Sequence, residues 1–258
     1  MNALVHSRIR GPIAHVTLDS PSNRNALSVE LIEQLCSTLR KLGAQPAVRA
    51  VVLNHTGSTF CSGVNLRAAS SCIEGVAELL ATVWEHPVPV IAAVSGAVRG
   101  GGLGLLCATD IVVASTQSSF SFSEVRVGVV PGTIWPLVAG RIAASARYLL
   151  LTGETFNATQ AQHIGLVTAT VNPEQLDDTV ATYASAVLQG APGAVMATKR
   201  LLRTVDTRLP AEGSLRELLR PLAAASGEKF NFTEAREGRA AFADKRSPSW
   251  VPHPQQDT

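Results

Sequence analysis

Two spacings of apolar positions alternate through the first two thirds of the chain. Ile13–Leu18 is a short apolar run with the length of a buried strand, and Ala50–Leu53 is a second one. Between these runs, leucines recur at near-helical spacing. These leucines are Leu27, Leu31, Leu35, Leu39 and Leu42. The alternation of strand and helix patterns predicts an α/β fold.

A looser repeat lies over this alternation. The order of strand, glycine-bearing turn and helix recurs at Val51–Leu66, at Val88–Leu106 and, more weakly, from Ile111 to Leu137. Units of about 40 residues that each leave one face unburied must stack on one another to cover it. We therefore predict a coil of ββα turns.

The second half of the chain is interrupted most clearly at Gly190-Ala191-Pro192-Gly193. The pattern after this point, from Val195 to about Ala243, is helical. Residues 247–254 are rich in proline, which lacks an amide donor and has a fixed φ, so regular helix is not expected there. We predict a ββα core over residues 1–190 and a C-terminal helical subdomain over residues 191–258.

Composition and charge narrow the classes of function. With 258 residues, of which 46% are hydrophobic and 16% charged, the chain is long enough to bury a large core. Its 22 basic and 20 acidic residues give a formal net charge of +2, and no dense run of Lys and Arg occurs. Nucleic acid is therefore not an expected partner.

Cysteine usage and the N-terminal segment indicate a compartment. The four cysteines form no CxxC pair, which fits a reduced cytoplasm. The first residues lack a basic stretch followed by an apolar core, and no segment has about 18 uninterrupted apolar residues. We expect a cytoplasmic protein that is neither secreted nor membrane-spanning.

Three consecutive glycines, Gly100, Gly101 and Gly102, stand between an apolar run and a predicted helix. They leave backbone amides unhindered at the start of a helix, which suits an oxygen that gains negative charge during a reaction. A dinucleotide-binding fingerprint is an alternative, because Gly104 continues the glycine spacing and Glu124 lies about 20 residues on. The motif lies well inside the chain, after at least one α/β unit, which argues against that alternative. No phosphate-loop, nucleophile-elbow or zinc-protease pattern occurs, and no metal site is predicted.

Several blocks along the chain together form a family pattern. They are Asn25-Ala26-Leu27-Ser28, residues 60–66, 96–104 and 124–132, Leu151-Thr152-Gly153-Glu154, and residues 161–167 and 237–246. In this order the blocks resemble the crotonase superfamily, the enoyl-CoA hydratase/isomerase family, over nearly the whole chain. The resemblance implies a spiral of ββα repeats whose C-terminal helical subdomain mediates trimers, often doubled to hexamers.

The resemblance also implies a set of site residues. The substrate is expected to be an acyl-CoA thioester, with no cofactor permanently bound. The amides of Val64 and Gly101 are expected to hold its carbonyl oxygen, and Glu124 to give or take a proton at the adjacent carbon. An apolar pocket should raise the pKa of Glu124. The residues implied to contact CoA are Arg24, Ala26 and Ser62 on one side, and Phe242 and Lys245, reaching across from a neighbouring subunit, on the other.

One departure from the family pattern leaves the reaction open. Hydratases of the family carry a second glutamate two residues after the glycine triplet, and here that position is Gly104. Either Glu124 works alone with a water, or another residue such as Glu74 or Glu78 supplies the base. We favour an enoyl-CoA hydratase-like enzyme. A double-bond isomerase is the alternative, because it needs one proton-shuttling group, and an acyl-CoA-binding protein with little catalysis is a second alternative.

Two arginines flank the candidate site, Arg99 immediately before the triplet and Arg126 two residues after Glu124. Either guanidinium could receive a carboxylate at the far end of a branched or dicarboxylic acyl group, since arginine pairs bidentately with carboxylates. The other interpretation is a salt bridge at a subunit contact, and it is the one that we favour from the sequence.

Overall fold

The computed structural model describes residues 3–65, 69–205, 233–246 and 248–249, together with residues 216, 217, 219–221, 223 and 224. In chain order its strands are β1 (Val5–Arg10), β2 (Ile13–Leu18), β3 (Ala50–His55), β4 (Thr59–Cys61), β5 (Val90–Val94), β6 (Ala97–Arg99), β7 (Ile111–Ser115), β8 (Ser119–Ser121), β9 (Phe156–Asn157) and β10 (Ala169–Val171). Its longer helices are α1 (Val29–Gly43), α2 (Ala69–Trp84), α3 (Gly101–Ala108), α4 (Trp135–Thr152), α5 (Ala158–His163), α6 (Leu176–Gln189), α7 (Pro192–Val205) and α8 (Thr233–Ala243). The predicted strands at the start of the chain are confirmed as β2 and β3.

The strands form two sheets. The six-stranded sheet has the order β1-β2-β3-β5-β7-β10, in which β1 and β2 pair antiparallel and the other pairs are parallel. The four-stranded sheet has the order β4-β6-β8-β9, in which only the β8–β9 pair is antiparallel. The mixture of parallel strands and covering helices is an α/β architecture, as predicted.

The two sheets are built by one repeating unit. The units β3-β4-α2, β5-β6-α3 and β7-β8-α4 follow each other along the chain. The first strand of each unit joins the six-stranded sheet and the second strand joins the four-stranded sheet. This confirms the predicted coil of ββα turns, including its weakest unit, in which a 3-10 helix (Ser123–Val127) comes between β8 and α4.

The leucine pattern of the first helix is confirmed, with one difference. The N-cap Ser28 accepts a hydrogen bond from the amide of Leu31, and arginine and lysine lie in the last turn, where cations favour the helix dipole. Four of the predicted leucines form the buried face of α1. Leu27 precedes the helix and pairs instead with Val64 in an isolated parallel bridge.

The central strands of the six-stranded sheet are covered on both faces. On β2, Ala14, Val16 and Leu18 are fully buried in the main core, which α1, α2 and α3 complete. The opposite face packs on α6, where Ile91 of β5 joins a smaller apolar cluster. Burial on both faces explains why β5 reads as a continuous apolar run.

Helix α7 is anchored on the core by buried charge. The Lys199 ammonium donates to the Val88 carbonyl oxygen at 3.0 Å and to Asp110 Oδ2 at 2.5 Å. One turn further on, Arg203 donates to the His86 carbonyl oxygen at 2.9 Å. The predicted division at residue 190 falls between the end of α6 and the start of α7, and an independent C-terminal subdomain stays a prediction.

None of the helices in the described ranges combines the length and the apolar composition of a membrane span. The predicted proline-rich end lies mostly outside the described residues.

Candidate active site

Three chain segments converge where the second strands of the ββα units end. Strands β4, β6 and β8 are parallel neighbours, so their carboxyl ends lie at one edge of the four-stranded sheet. Val64 follows the end of β4, Gly101 follows β6, and Glu124 follows β8. This edge is a common place for ligand sites in parallel sheets.

The Val64 amide is left free by the pairing around it. The Leu27 amide donates to the Gly63 carbonyl oxygen at 2.8 Å, and the Asn65 amide donates to the Leu27 carbonyl oxygen at 3.3 Å. In a parallel pair a residue bonds the two neighbours of the residue opposite it, so the amide of Val64 points away from Leu27.

A second free amide lies beside it. Gly101 is the first residue of α3, where an amide has no acceptor within the helix. A Cβ on Gly101 would lie 3.8 Å from the Val64 nitrogen, so the two amides are close neighbours. Neither donates to any other residue that the structure describes. Two unpaired backbone donors at a helix start form a place for an oxygen that carries negative charge.

Glu124 lies on the 3-10 helix that follows β8 and packs against the glycine before α3. Gly100 has φ +50°, and a Cβ there would lie only 3.3 Å from Glu124 Oε1. The residue is half-buried, but its Oε2 atom is out of contact with solvent and has no hydrogen-bond partner among the described residues. Burial raises the pKa of the Glu124 carboxyl to about 7. A carboxyl group of this pKa can gain and lose a proton near neutral pH.

These groups open onto one cavity of about 460 Å³. Its apolar wall is formed by Ile73, Val76, Val127, Val129, Val130, Pro131, Ile134 and Phe242. The polar side chains of the lining are Glu124, four arginines and five serines or threonines. A cavity with an apolar wall and convergent polar groups is typical of a small-molecule site.

A sequence model of the enoyl-CoA hydratase/isomerase family matches residues 8–253. The chain belongs to this family. A crystal structure of an enoyl-CoA hydratase from Mycobacterium avium is 41% identical to it, with a TM-score of 0.86 and a match over 97% of this chain and 100% of that one. The mitochondrial enoyl-CoA hydratase domain-containing protein 3 of Danio rerio is 30% identical over 96% of this chain and 88% of its own length. Carnitinyl-CoA dehydratase of Proteus mirabilis is 28% identical over 97% of this chain and 99% of its own length. The predicted family and its crotonase-like spiral are therefore confirmed.

The structure brings together most of the site residues that the family resemblance implied. The predicted residues that line the cavity are Val64, Gly101, Glu124, Arg24, Ser62 and Phe242. Ala26 is buried and Lys245 is exposed, and the cavity lining includes neither of them. Metal-ligating clusters of three or more His, Cys, Asp or Glu side chains are not found in the part of the chain that the structure describes.

Phe242 reaches the cavity within its own chain. Helix α8 packs on the 3-10 helix that carries Glu124. A Cβ on Gly238 would lie 2.6 Å from the Val127 carbonyl carbon, so the two backbones are in close contact. The contact of Phe242 with the site of this enoyl-CoA hydratase/isomerase family member thus needs no second copy of the chain.

A single carboxylate faces the cavity among the described residues, that of Glu124. A Cβ on Gly104 would lie 2.5 Å from Ile134 Cγ2, so the isoleucine fills the space into which a side chain at position 104 would extend. Ile134 was missed by the sequence reasoning. The sequence feature that could have indicated such a residue is Gly104. In a close-packed interior, the space left by an absent side chain is filled by the side chain of a neighbouring residue.

Neither of the other proposed bases lies at the site. Glu74 is exposed and does not line the cavity. Glu78 pairs with Arg40 and Arg216, and the Arg216 guanidinium holds the pKa of that carboxyl below its ordinary value. An ionised and paired glutamate is a poor general base, so Glu78 stabilises the helix surface instead.

The two arginines singled out in the sequence differ in their contacts. Arg99 donates from Nη1 to the carbonyl oxygens of Val98 and Ser119, and from Nη2 to Ser119 Oγ. Its guanidinium therefore ties β6 to β8. Arg126 also lines the cavity, but only its Nε atom donates, at 3.0 Å, to the Thr152 carbonyl oxygen.

Proposed function

We propose that this chain is an acyl-CoA enzyme that moves a proton on the acyl part of a thioester, with Glu124 as its acid–base group. The observation that carries the proposal is the buried Glu124 carboxyl beside two free backbone amides in one apolar cavity. The family membership supports a CoA thioester as substrate. CoA then enters as part of the substrate, and no other cofactor is required for proton transfer.

The paired amides of Val64 and Gly101 stabilise the thioester oxygen. Removing a proton beside a thioester, or adding a nucleophile to its double bond, places negative charge on this oxygen. Preorganised donors at that point are worth roughly 3 kcal/mol of barrier each. Arg24 and Ser62 line the cavity on the β4 side of the amides and are proposed to contact CoA.

Hydration of a 2-enoyl-CoA is the first candidate reaction, and the names of two relatives support it. The Glu124 carboxylate takes a proton from water as the water oxygen bonds to C3 of the acyl chain. The electron pair of the double bond moves to the thioester oxygen, which the amides hold. Glu124 then returns the proton to C2. One carboxyl group thus balances the reaction.

Double-bond isomerisation is the second candidate, and the packing of Ile134 on Gly104 favours it. An apolar side chain at this wall cannot bind or activate a water. Isomerisation needs none, because Glu124 takes a proton from C2 of a 3-enoyl-CoA and returns it to C4. The double bond then lies beside the thioester.

The experiment that separates these reactions uses two substrates. The pure protein is incubated with crotonyl-CoA and with 3-hexenoyl-CoA while the absorbance of the conjugated thioester is followed. Loss of absorbance with crotonyl-CoA supports hydration, and a gain with 3-hexenoyl-CoA supports isomerisation. If neither changes while the protein binds both thioesters, and glutaconyl-CoA, which carries a terminal carboxylate, is not turned over either, the chain is an acyl-CoA-binding protein and the proposal is wrong.

Replacing Val64 by proline removes the amide donor and should lower kcat by about 10²- to 10³-fold. Val64→Ala keeps the amide and should stay within a few-fold of the parent chain, because the side chain takes no part in the chemistry. Steady-state kinetics of both variants, with circular dichroism to confirm folding, provide the comparison. Equal losses in the two variants would contradict a role for the amide.

We also propose that the chain forms homotrimers or hexamers in the cytoplasm. Large apolar side chains remain exposed on two helices, Tyr148 and Leu151 on α4 and Leu201 and Leu202 on α7. Exposed apolar groups of this size are typical of surfaces that another protein surface covers.

A further inference from the structure

The cavity carries more positive than negative charge. Among the described residues that line it, Arg24, Arg99, Arg126 and Arg246 face a single acid, Glu124. Burial keeps part of that acid neutral near pH 7, so it offsets little of the positive charge. An excess of this kind favours an anionic ligand.

Two of the four guanidinium groups are already engaged. Arg99 donates three hydrogen bonds to β6 and β8. Arg246 pairs with both carboxylate oxygens of Glu237, at 2.7 and 3.0 Å. These two arginines hold the wall of the cavity together. Arg24 and the two Nη atoms of Arg126 are left to interact with a ligand.

Arg24 lies on the side of the cavity that is proposed to hold CoA. Its carbonyl oxygen accepts a hydrogen bond from the Ser62 amide at 3.1 Å. Ser62 leads directly into Gly63, where a Cβ would lie 3.5 Å from the Gly101 nitrogen. Arg24 is therefore connected to the paired amides through β4 and the segment that follows it.

On the other side of the site, a second series of contacts connects Arg126 to the paired amides. The Gly100 amide donates to the Ser121 carbonyl oxygen at 3.0 Å, and Ser121 Oγ donates to the Gly153 carbonyl oxygen at 2.8 Å. Arg126 packs on Gly153, and Glu124 lies two residues before it. The paired amides and Glu124 thus lie between Arg24 and Arg126 in this series of contacts.

The Arg126 side chain is held in place before any ligand binds. Gly153 has φ +62°, and a Cβ there would lie 3.0 Å from Arg126 Cγ, so the aliphatic stem lies directly on the glycine. The Nε atom is fixed by the Thr152 carbonyl oxygen at 3.0 Å. Nη1 and Nη2 have no partner among the described residues and remain able to bind an anion. Arg126 is exposed, but these two contacts restrict its side chain, so it loses less conformational entropy on binding than an unrestrained arginine.

We propose that Arg126 binds a carboxylate at the far end of the acyl chain, so that the preferred substrates are CoA thioesters of dicarboxylic acids. This inference rests on the proposed function for the orientation of the thioester. The two oxygens of a carboxylate can accept two parallel hydrogen bonds from Nη1 and Nη2 of the planar Arg126 guanidinium. A phosphate of CoA has the same charge and a similar shape, and the experiment must separate the two sources.

Two saturated thioesters that cannot react provide a binding test. Glutaryl-CoA and pentanoyl-CoA have the same chain length and differ in a terminal carboxylate against a methyl group. Titration calorimetry should show that the parent chain binds glutaryl-CoA about 10- to 100-fold more tightly. Arg126→Gln should abolish this preference and leave the affinity for pentanoyl-CoA unchanged. Arg147→Gln, which removes an exposed arginine of α4 outside the cavity, is the matched control and should keep the preference.

Two outcomes would overturn the inference. Equal affinity of the parent chain for the two thioesters would show that no carboxylate is recognised. Equal weakening of glutaryl-CoA, pentanoyl-CoA and free CoA in Arg126→Gln would show that the arginine holds a phosphate of CoA. Because these thioesters are not turned over, the binding result is independent of the proposed reaction. Turnover of glutaconyl-CoA against 2-pentenoyl-CoA then tests the reaction separately.

Discussion

Glu124→Gln should lower kcat by about 10²- to 10⁴-fold while the affinity for the acyl-CoA stays nearly unchanged. Glutamine has the shape of the protonated glutamic acid and fits the same space against Gly100, but it cannot accept or release the proton. Steady-state kinetics with the active substrate and titration calorimetry with a saturated thioester measure the two quantities separately. A variant that keeps more than a tenth of the parent kcat would exclude Glu124 as the acid–base group.

The same carboxyl group should set the pH dependence. Its pKa of about 7 places the midpoint of the kcat/KM profile of the free protein near pH 7. A reaction that begins with Glu124 as base should rise in rate through this midpoint as the pH increases. Residual activity of Glu124→Gln should lack the inflection.

Glu124→Gln should also be more stable than the parent chain at alkaline pH. The folded state raises the pKa of the carboxyl from 4.5 to about 7, so the folded state binds the proton more tightly than the unfolded state. Stability is therefore lost as the pH rises from about 4.5 through 7, by up to about 3 kcal/mol. Urea unfolding at pH 8 should favour the variant, and unfolding at pH 4 should show little difference. An equal difference in the free energy of unfolding at pH 4 and at pH 8 would contradict the interpretation that the Glu124 carboxyl is buried without a compensating charge.

Asp110→Ala should lower the free energy of unfolding by about 3–5 kcal/mol. The substitution leaves the Lys199 ammonium buried without its counter-charge, since only 5% of the lysine side chain is exposed. Burial already lowers the pKa of Lys199 to about 8. The folded state therefore disfavours the charged form of this lysine relative to the unfolded state. Asp110 raises the pKa of Lys199, so its removal lowers that pKa further below about 8. The deficit of the variant should therefore shrink as the pH rises to about 8, where the lysine of the parent also loses its proton, and should stay constant above it.

A double-variant cycle shows whether the pair itself is responsible. Lys199→Met leaves Asp110, which is 30% exposed and still accepts the Val90 amide at 2.7 Å, so this loss should be smaller. The combined variant Asp110→Ala/Lys199→Met should recover part of the stability that Asp110→Ala loses. Additive losses in urea unfolding would show that the two groups do not interact.

The coil of ββα units could be predicted because its signals are local. Each unit repeats a strand, a glycine-bearing turn and a helix within about 40 residues, and the register of apolar positions gives the period. The division of each pair of strands between two sheets could not be predicted in the same way. Strand β4 has only three residues, and so short a run does not indicate which strand it pairs with.

The chemistry of the candidate site was predictable in part for a similar reason. The glycines around Gly101 and the carboxyl group of Glu124 stand out in the sequence and follow successive strands of one sheet. The raised pKa of Glu124 was expected from an apolar pocket and is found. The contact of Ile134 with position 104 and the position of Phe242 in the cavity depend on tertiary packing between distant segments. No local sequence pattern indicates such packing.

The contact of Ile134 with position 104 also constrains how this sequence can change over generations. A glutamate at position 104 has no space while Ile134 is present, because its Cβ would lie 2.5 Å from the isoleucine methyl group. Shortening Ile134 first opens a void at a buried position, a change that costs about 2–5 kcal/mol for isoleucine to alanine. Each single step is therefore disfavoured by selection on stability. Lineages with one and with two carboxylates at this site should consequently differ at positions 104 and 134 together.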